Sequence, residues 1–313
     1  MAFLLAAGMS LLATPAWRWV ASRFGSVDVP NERKIHDRPM PTSGGIAIII
    51  GFLAGTVLTG VWSGLHARAP YAPLALLIGG GIIVIMGLLD DRYGIPAKIK
   101  LLLQLLATLP LLFGGITIGL VSNPIAGGLV FLPPWVTWMI TVIWVVAVTN
   151  AFNLIDGLDG LAAGVAAIAC GALALVAFMW HQPIVALMCV ALAGGTLGYL
   201  PYNWHPATIL MGDTGAYFLG YMIAAITIMG AIKIPAALAI FVPLLVLAVP
   251  LFDTVLSPVR RFLNGKPAFQ ADRDHVHHRL LELGFSVPRV VLLIYTVTAV
   301  CSGIAIWLSR IKR

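Results

Sequence analysis

Ten apolar runs follow one another along this chain, most of them close to the length of a bilayer-spanning helix, with charge confined to short clusters between them. A spanning helix needs about 20 apolar residues. The runs are read as spans at 2–20, 45–61, 73–89, 101–116, 135–149, 161–180, 185–199, 216–232, 234–256 and 290–308. Composition agrees: 60% of the residues are hydrophobic and 10% are charged, against about 25% charged in a soluble domain. No aqueous core hides that much apolar surface. The expectation is an all-α integral membrane protein of about ten transmembrane helices, forming one multi-pass domain over 1–313. The fourth, fifth and seventh runs are short, and Pro243 and Pro250 imply a kink in the ninth. The first run has no basic start and carries Trp17, Arg18 and Trp19 where a signal peptide has small residues, so it is read as a first span. Cys170, Cys189 and Cys301 lie within apolar runs, without a Cys-x-x-Cys pair, and are read as packing residues.

The formal charge of +7 would suggest nucleic acid for a soluble protein. Here the bases flank spans and set their orientation, so no nucleic-acid partner is expected and the lipid bilayer is the partner instead. Alternating the spans puts segments 21–44, 90–100, 150–160, 200–215 and 257–289 on one side, with 14 of the 19 Lys and Arg on or beside it. By the positive-inside rule that side is cytoplasmic. The basic tail Arg310, Lys312 and Arg313 falls on the other side, against the rule. All twelve acids also fall on or next to the cytoplasmic face. Charges needed only for solubility would be scattered over both faces, so chemistry is expected there.

Asp90 and Asp91 follow the third span directly. They read either as boundary charges or as a pair that shares a cation, because adjacent carboxylates repel unless something neutralises them. Lys98 and Lys100 come next and suit an anionic substrate as well as a positive-inside anchor. In Asn150-Ala-Phe-Asn-Leu-Ile-Asp-Gly-Leu-Asp-Gly160, the residues Asn150, Asn153, Asp156 and Asp159 recur every three positions, near one face of a tight helical turn. A loop that merely turns has no use for four oxygen-bearing side chains in register. Asp213, in Met211-Gly-Asp-Thr-Gly215, reads either as a helix cap or as a further site acid. Tyr202, Asn203 and Pro206 form a polar turn just upstream. The segment Asp272–Gly284 gathers His275, His277, His278 and Arg279, better suited as donors to phosphate or sugar hydroxyls than as a zinc site. Lys34–Gly45 adds bases and a glycine-rich bend.

The ordered set PMPTSGG, LDDR, NAFNLIDGLDGLAAG, MGDTGAYFLG and HVHHRLLELG resembles the polyprenyl-phosphate N-acetylhexosamine-1-phosphate transferases, over nearly the whole chain. The resemblance implies ten or eleven helices around a cytoplasm-facing cleft in the bacterial inner membrane. It implies undecaprenyl phosphate and a UDP-sugar as substrates, and Mg2+, with Mn2+ as a substitute, as cofactor. A homo-oligomer is compatible with it. It implies Asp213 as the metal ligand, with Asn153 beside the metal and pyrophosphate. It further implies Asp90 and Asp91 as the acidic pair, one of them the base acting on the lipid phosphate, and Asp156 and Asp159 near nucleotide and metal. Thr42 and Asn203 match motifs on the nucleotide side, and His275, His277, His278 and Arg279 match the loop that recognises the sugar phosphate. HVHHR departs from the three consecutive histidines of the peptidoglycan branch, which disfavours that substrate and points to UDP-N-acetylglucosamine, with other N-acetylhexosamines left open.

Two other classes compete. A coupled transporter also places carboxylates among helices, but near the bilayer midplane and commonly in an internal repeat, and this chain has neither. A non-catalytic lipid-phosphate scaffold would not need the intact Asp and Asn set.

Overall fold

The computed structural model describes residues 1–23, 27–28, 39–122, 129–231, 242–252 and 276–311. Its long elements are the helices α1 (Ala2–Arg23), α2 (Gly45–Leu58), α3 (Val61–Arg68), α4 (Ala72–Tyr93), α5 (Ala97–Phe113), α6 (Pro134–Ile155), α7 (Leu161–Met179), α8 (Pro183–Asn203) and α9 (Gly212–Ala231). A helical stretch over 242–252 follows, then α10 (Val276–Glu282) and α11 (Val287–Ile311). The described strands are short antiparallel pairs: β1 (Val27–Asp28) with β2 (Met40–Pro41), and β3 (Leu120–Ser122) with β4 (Leu129–Phe131).

Among the described residues, α4, α6, α7, α8, α9 and α11 are each long and apolar enough to cross a membrane. The pair α2 and α3, bent by 69°, makes a seventh if it is one span. This bend was not legible as such. The second apolar run, read as 45–61, crosses the break: α2 ends at Leu58, Gly60 is left-handed at φ 70°, and α3 continues in a new direction. Nine of the ten runs fall on helices, and 242–252 covers part of the other, whose remainder lies outside the described residues.

The helices extend beyond the apolar runs at the acidic end. α4 runs on to Tyr93, α6 to Ile155 and α8 to Asn203, so Asp90, Asp91, Asn153 and Asn203 stand in last helical turns, and Asn150 one turn earlier in α6, rather than in loops. A helix satisfies its interior backbone groups in lipid and in water alike, so the edge of the apolar run does not have to stop it. Pro73, in the first turn, and Gly94, left-handed at φ 65° with its N–H on the Asp90 carbonyl, set the limits of α4.

Small residues let the backbones approach closely, as expected where lipid competes with side chains for apolar contact. A Cβ on Gly198 would sit 2.2 Å from the Ala7 carbonyl oxygen, which seats α8 on α1. α4 crosses the start of α9 at Gly87, where a Cβ would lie 2.4 Å from the Thr214 Cα. One turn beyond Gly87 stands Asp91, and this crossing positions the site.

Candidate active site

The core of the site is the junction of α4 with α9. The Asp91 carboxylate accepts the backbone N–H of Asp213 at 2.7 Å, the backbone N–H of Thr214 at 3.2 Å and the Thr214 hydroxyl at 2.6 Å. A carboxylate from one helix thereby caps the N-terminus of another, satisfying orphan donors and complementing the dipole. Thr42, buried, donates to the same carboxylate at 3.4 Å. Its own segment is pinned by Leu210 N–H to the Pro41 carbonyl and by Gly44 and Gly45 N–H to the carbonyls of Leu210 and Met211.

Asp90 points elsewhere. One oxygen accepts the Ile95 N–H at 2.9 Å, closing the short α4–α5 connection, and the other contacts the Lys100 ammonium. Lys100 also lies 3.5 Å from the second oxygen of Asp213 and 5.9 Å from the centre of the Tyr217 ring. Asn153 Nδ2 donates to the other Asp213 oxygen at 2.5 Å. Asp90 from α4, Lys100 from α5, Asn153 from α6 and Asp213 from α9 thus meet at one point.

The turn after α6 carries Asp156 at the helix end, its N–H on the Asn153 carbonyl at 3.3 Å. Burial, followed by the negative charges of Asp213, Asp91 and Asp159, pushes the Asp156 carboxyl well above the usual carboxylate range. Asp159 turns outward to His205 Nδ1 at 2.9 Å and the Ala207 N–H at 3.1 Å, holding the loop after α8. Asn203 is a brace: its oxygen accepts the Gly160 N–H at 3.1 Å and its amide donates to the Ile209 carbonyl at 3.1 Å. Tyr295 of α11 donates to the Gly160 carbonyl at 2.5 Å.

The expected residues therefore separate. Asp90, Asp91, Asn153, Asp156, Asp213, Lys100 and Thr42 come together. Asn150 faces α5 and pairs with Gln104, Asp159 and Asn203 hold the adjoining loop, and Lys98 is exposed. Arg279 is exposed on α10, while His275 and the side chains of His277 and His278 lie outside the described residues. Gln104, His205 and Tyr295 escaped the sequence reading. Only Gln104 carries a signal there, as an amide four residues after Lys100 inside an apolar run.

Among the described residues no group of three or more His, Cys, Asp or Glu converges to hold a metal ion unaided. The donors at the junction are nonetheless hard oxygens, from Asp213, Asn153 and Asp90. Magnesium is commonly held by one or two carboxylates together with substrate phosphates, and this donor set fits that pattern.

The family profile described as glycosyl transferase family 4 matches residues 73–231, from the second residue of α4 to the end of α9, and hence every residue of the junction except Thr42. A Bacillus subtilis protein named "probable undecaprenyl-phosphate N-acetylglucosaminyl 1-phosphate transferase" is 38% identical over 320 residues, covering 98% of this chain and 86% of its own length. A Mycobacterium tuberculosis decaprenyl-phosphate N-acetylglucosaminephosphotransferase is 36% identical, with coverage of 93% and 78%. A Salmonella typhi undecaprenyl-phosphate alpha-N-acetylglucosaminyl 1-phosphate transferase is 28% identical, with coverage of 92% and 78%. The profile match over half of the chain, and identities above 30% that extend along nearly all of it, lead to one conclusion: the chain belongs to glycosyl transferase family 4, among the polyprenyl-phosphate N-acetylglucosamine-1-phosphate transferases.

Proposed function

We propose that this protein transfers N-acetylglucosamine 1-phosphate from UDP-N-acetylglucosamine to undecaprenyl phosphate, releasing UMP, at the cytoplasmic face of the bacterial inner membrane and with Mg2+ as cofactor. The observation that carries the reading is the meeting of Asp90, Lys100, Asn153 and Asp213 from four helices. The acids sit at helix ends, in the last turn of α4, the first turn of α9 and the cap of α6. A polar patch at that depth suits a reaction between a lipid headgroup and a water-soluble nucleotide. A coupled transporter would put its carboxylates near mid-membrane.

In this reaction a lipid phosphate oxygen attacks the β-phosphorus of the UDP-sugar, and the bond from that phosphorus to the UMP oxygen breaks. A phosphate monoester has its second pKa near about 6, so the nucleophile is mostly ionised at neutral pH and the demand on a base is small. The protein's task is positioning and charge neutralisation. Lys100 supplies a cation and the Asn153 amide a donor. Asp213, Asn153 and Asp90 would hold magnesium, which when bound offsets the charge of carboxylates and pyrophosphate together. Asp91 acts on none of the reactants in this reading. It holds the start of α9, and with it Asp213, in place. Arg279 and the histidines of α10 and its approach are assigned to the sugar phosphate.

Purified protein incubated with undecaprenyl phosphate and a panel of UDP-sugars, with and without magnesium, tests the proposal through UMP release. UMP formed only with UDP-N-acetylglucosamine, lipid and cation together is the expected result. Lipid-independent UMP release, or none with any sugar, overturns it.

A further inference from the structure

Helix α5 has an exposed apolar side and a buried side. Leu101, Leu102, Leu105, Leu106 and Leu109 are exposed, whereas Gln104, Ala107, Thr108 and Leu111 are buried. An amide inside an apolar run is costly without a partner. Gln104, 1% exposed, has one in a reciprocal pair across to α6: Asn150 Nδ2 donates to Gln104 Oε1 at 2.7 Å, and Gln104 Nε2 donates to Asn150 Oδ1 at 3.2 Å. Asn150 Nδ2 also donates to the Val146 carbonyl of its own helix at 2.8 Å, which fixes its rotamer.

The placement of this pair matters more than its existence. Gln104 is four residues from Lys100 and Asn150 is three from Asn153, so each amide sits one helical turn from a residue that touches Asp213. The two helices carry two successive rungs: Lys100 and Asn153 meet through Asp213, and Gln104 and Asn150 meet directly. Elsewhere α5 is tied to α4 by the Asp90–Lys100 contact and to α9 by the Tyr221 hydroxyl on the Ala107 carbonyl at 3.1 Å. The amide pair is the side-chain hydrogen bonding that joins α5 to α6 among the described residues. Lys100 has a long flexible stem and touches Asp90 more closely than Asp213. If α5 turns or slides relative to α6, the 3.5 Å contact with Asp213 is the one lost.

We infer that Gln104 and Asn150 are positioning residues, a buried amide clamp that fixes the register of α5 against α6 so that Lys100 and Asn153 converge on Asp213. This rests on the proposed transferase reading for its kinetic consequences but not for its geometry. The pair acts through Lys100 and touches no substrate.

The test compares wild type, Gln104→Leu, and the exchanged pair Gln104→Asn with Asn150→Gln, which keeps both amides and their summed length. Two measurements are made on folded, detergent-purified protein: steady-state UMP release, and the rate at which an amine-acylating reagent modifies Lys100, read by peptide mass spectrometry. For Gln104→Leu, kcat falls by about tenfold to a hundredfold, as for a misplaced catalytic contact, with KM for the UDP-sugar within about twofold. Lys100 is acylated several-fold faster, and the exchanged pair restores most of kcat and most of the slow acylation of Lys100. Helix glue alone would lower the melting temperature and leave kcat and Lys100 reactivity unchanged below it, which overturns the inference. If Gln104→Leu does not fold, Gln104→Asn alone shortens the clamp and is held to the same two readouts. If wild type releases no UMP with any sugar, the transferase reading fails while the acylation result still decides the clamp.

Discussion

The Asp91 carboxylate lies 2.7 Å from the backbone nitrogen of Asp213, and so a residue of the adjacent acidic pair serves as the cap of the helix that carries the other site acid. This divides the pair by role. Asp90 faces Lys100, while one oxygen of Asp91 accepts from the Asp213 N–H and the other from Thr214, both at the start of α9.

Asp91→Asn therefore loses acceptors at the start of α9, and a lost cap with charge-assisted bonds costs about 1–3 kcal/mol. A lower melting temperature is expected together with lower turnover. Asp90→Asn keeps the cap of α9 while turnover falls. Unfolding scans and UMP kinetics on both variants check this. An Asp91→Asn protein with unaltered melting temperature and no turnover would make Asp91 a reacting group instead.

Asp213→Asn removes the negative charge between Lys100 and Asn153 without removing bulk. Turnover at limiting magnesium is expected to drop by about a hundredfold or more, the scale for a group that organises transition-state charge, with insertion and folding intact. Near-normal turnover would leave Asp213 as no more than part of the helix start.

The raised pKa of Asp156 gives a pH dependence with a definite sign. Folding favours its protonated form, so its contribution to stability is present at low pH and is lost as pH rises from the ordinary carboxylate range through the raised folded value. In chelator, the melting temperature is expected to fall over that window, and Asp156→Asn is expected to flatten the fall. Parallel pH profiles for the two proteins would show that the group does not titrate abnormally.

Sidedness has its own measurement. His66, on α3, is exposed at the end of the helices opposite the acidic junction, and Lys98 is exposed beside the junction. In intact cells, a membrane-impermeant thiol reagent is expected to modify His66→Cys and to miss Lys98→Cys. The reverse pattern would place the site outside.

Arg279→Ala is expected to lower kcat/KM for UDP-N-acetylglucosamine while retaining the response to magnesium, because a guanidinium holds phosphate in fixed geometry. Comparing several UDP-sugars decides whether α10 contributes to sugar choice. An unchanged ranking with unchanged rates would make Arg279 a solvated surface base.

The apolar runs determined by themselves where the helices lie, because in lipid each backbone segment must satisfy its own hydrogen bonds and a helix is the local solution. They also marked most of the residues that form the junction, since polar groups beside apolar runs stand out. The partner of each polar group was a tertiary decision. The close crossing at Gly87 and Thr214, residues far apart in the chain, puts Asp91 on the α9 start, and no local pattern announces it. Asn150 and Asn153 illustrate the same limit. A three-residue step on a helix of 3.6 residues per turn rotates the side chain by about 60°, enough to send Asn150 to Gln104 on α5 and Asn153 to Asp213 on α9. Helix existence is a property of the chain and its solvent, whereas helix rotation and register come from how small residues let neighbouring backbones meet.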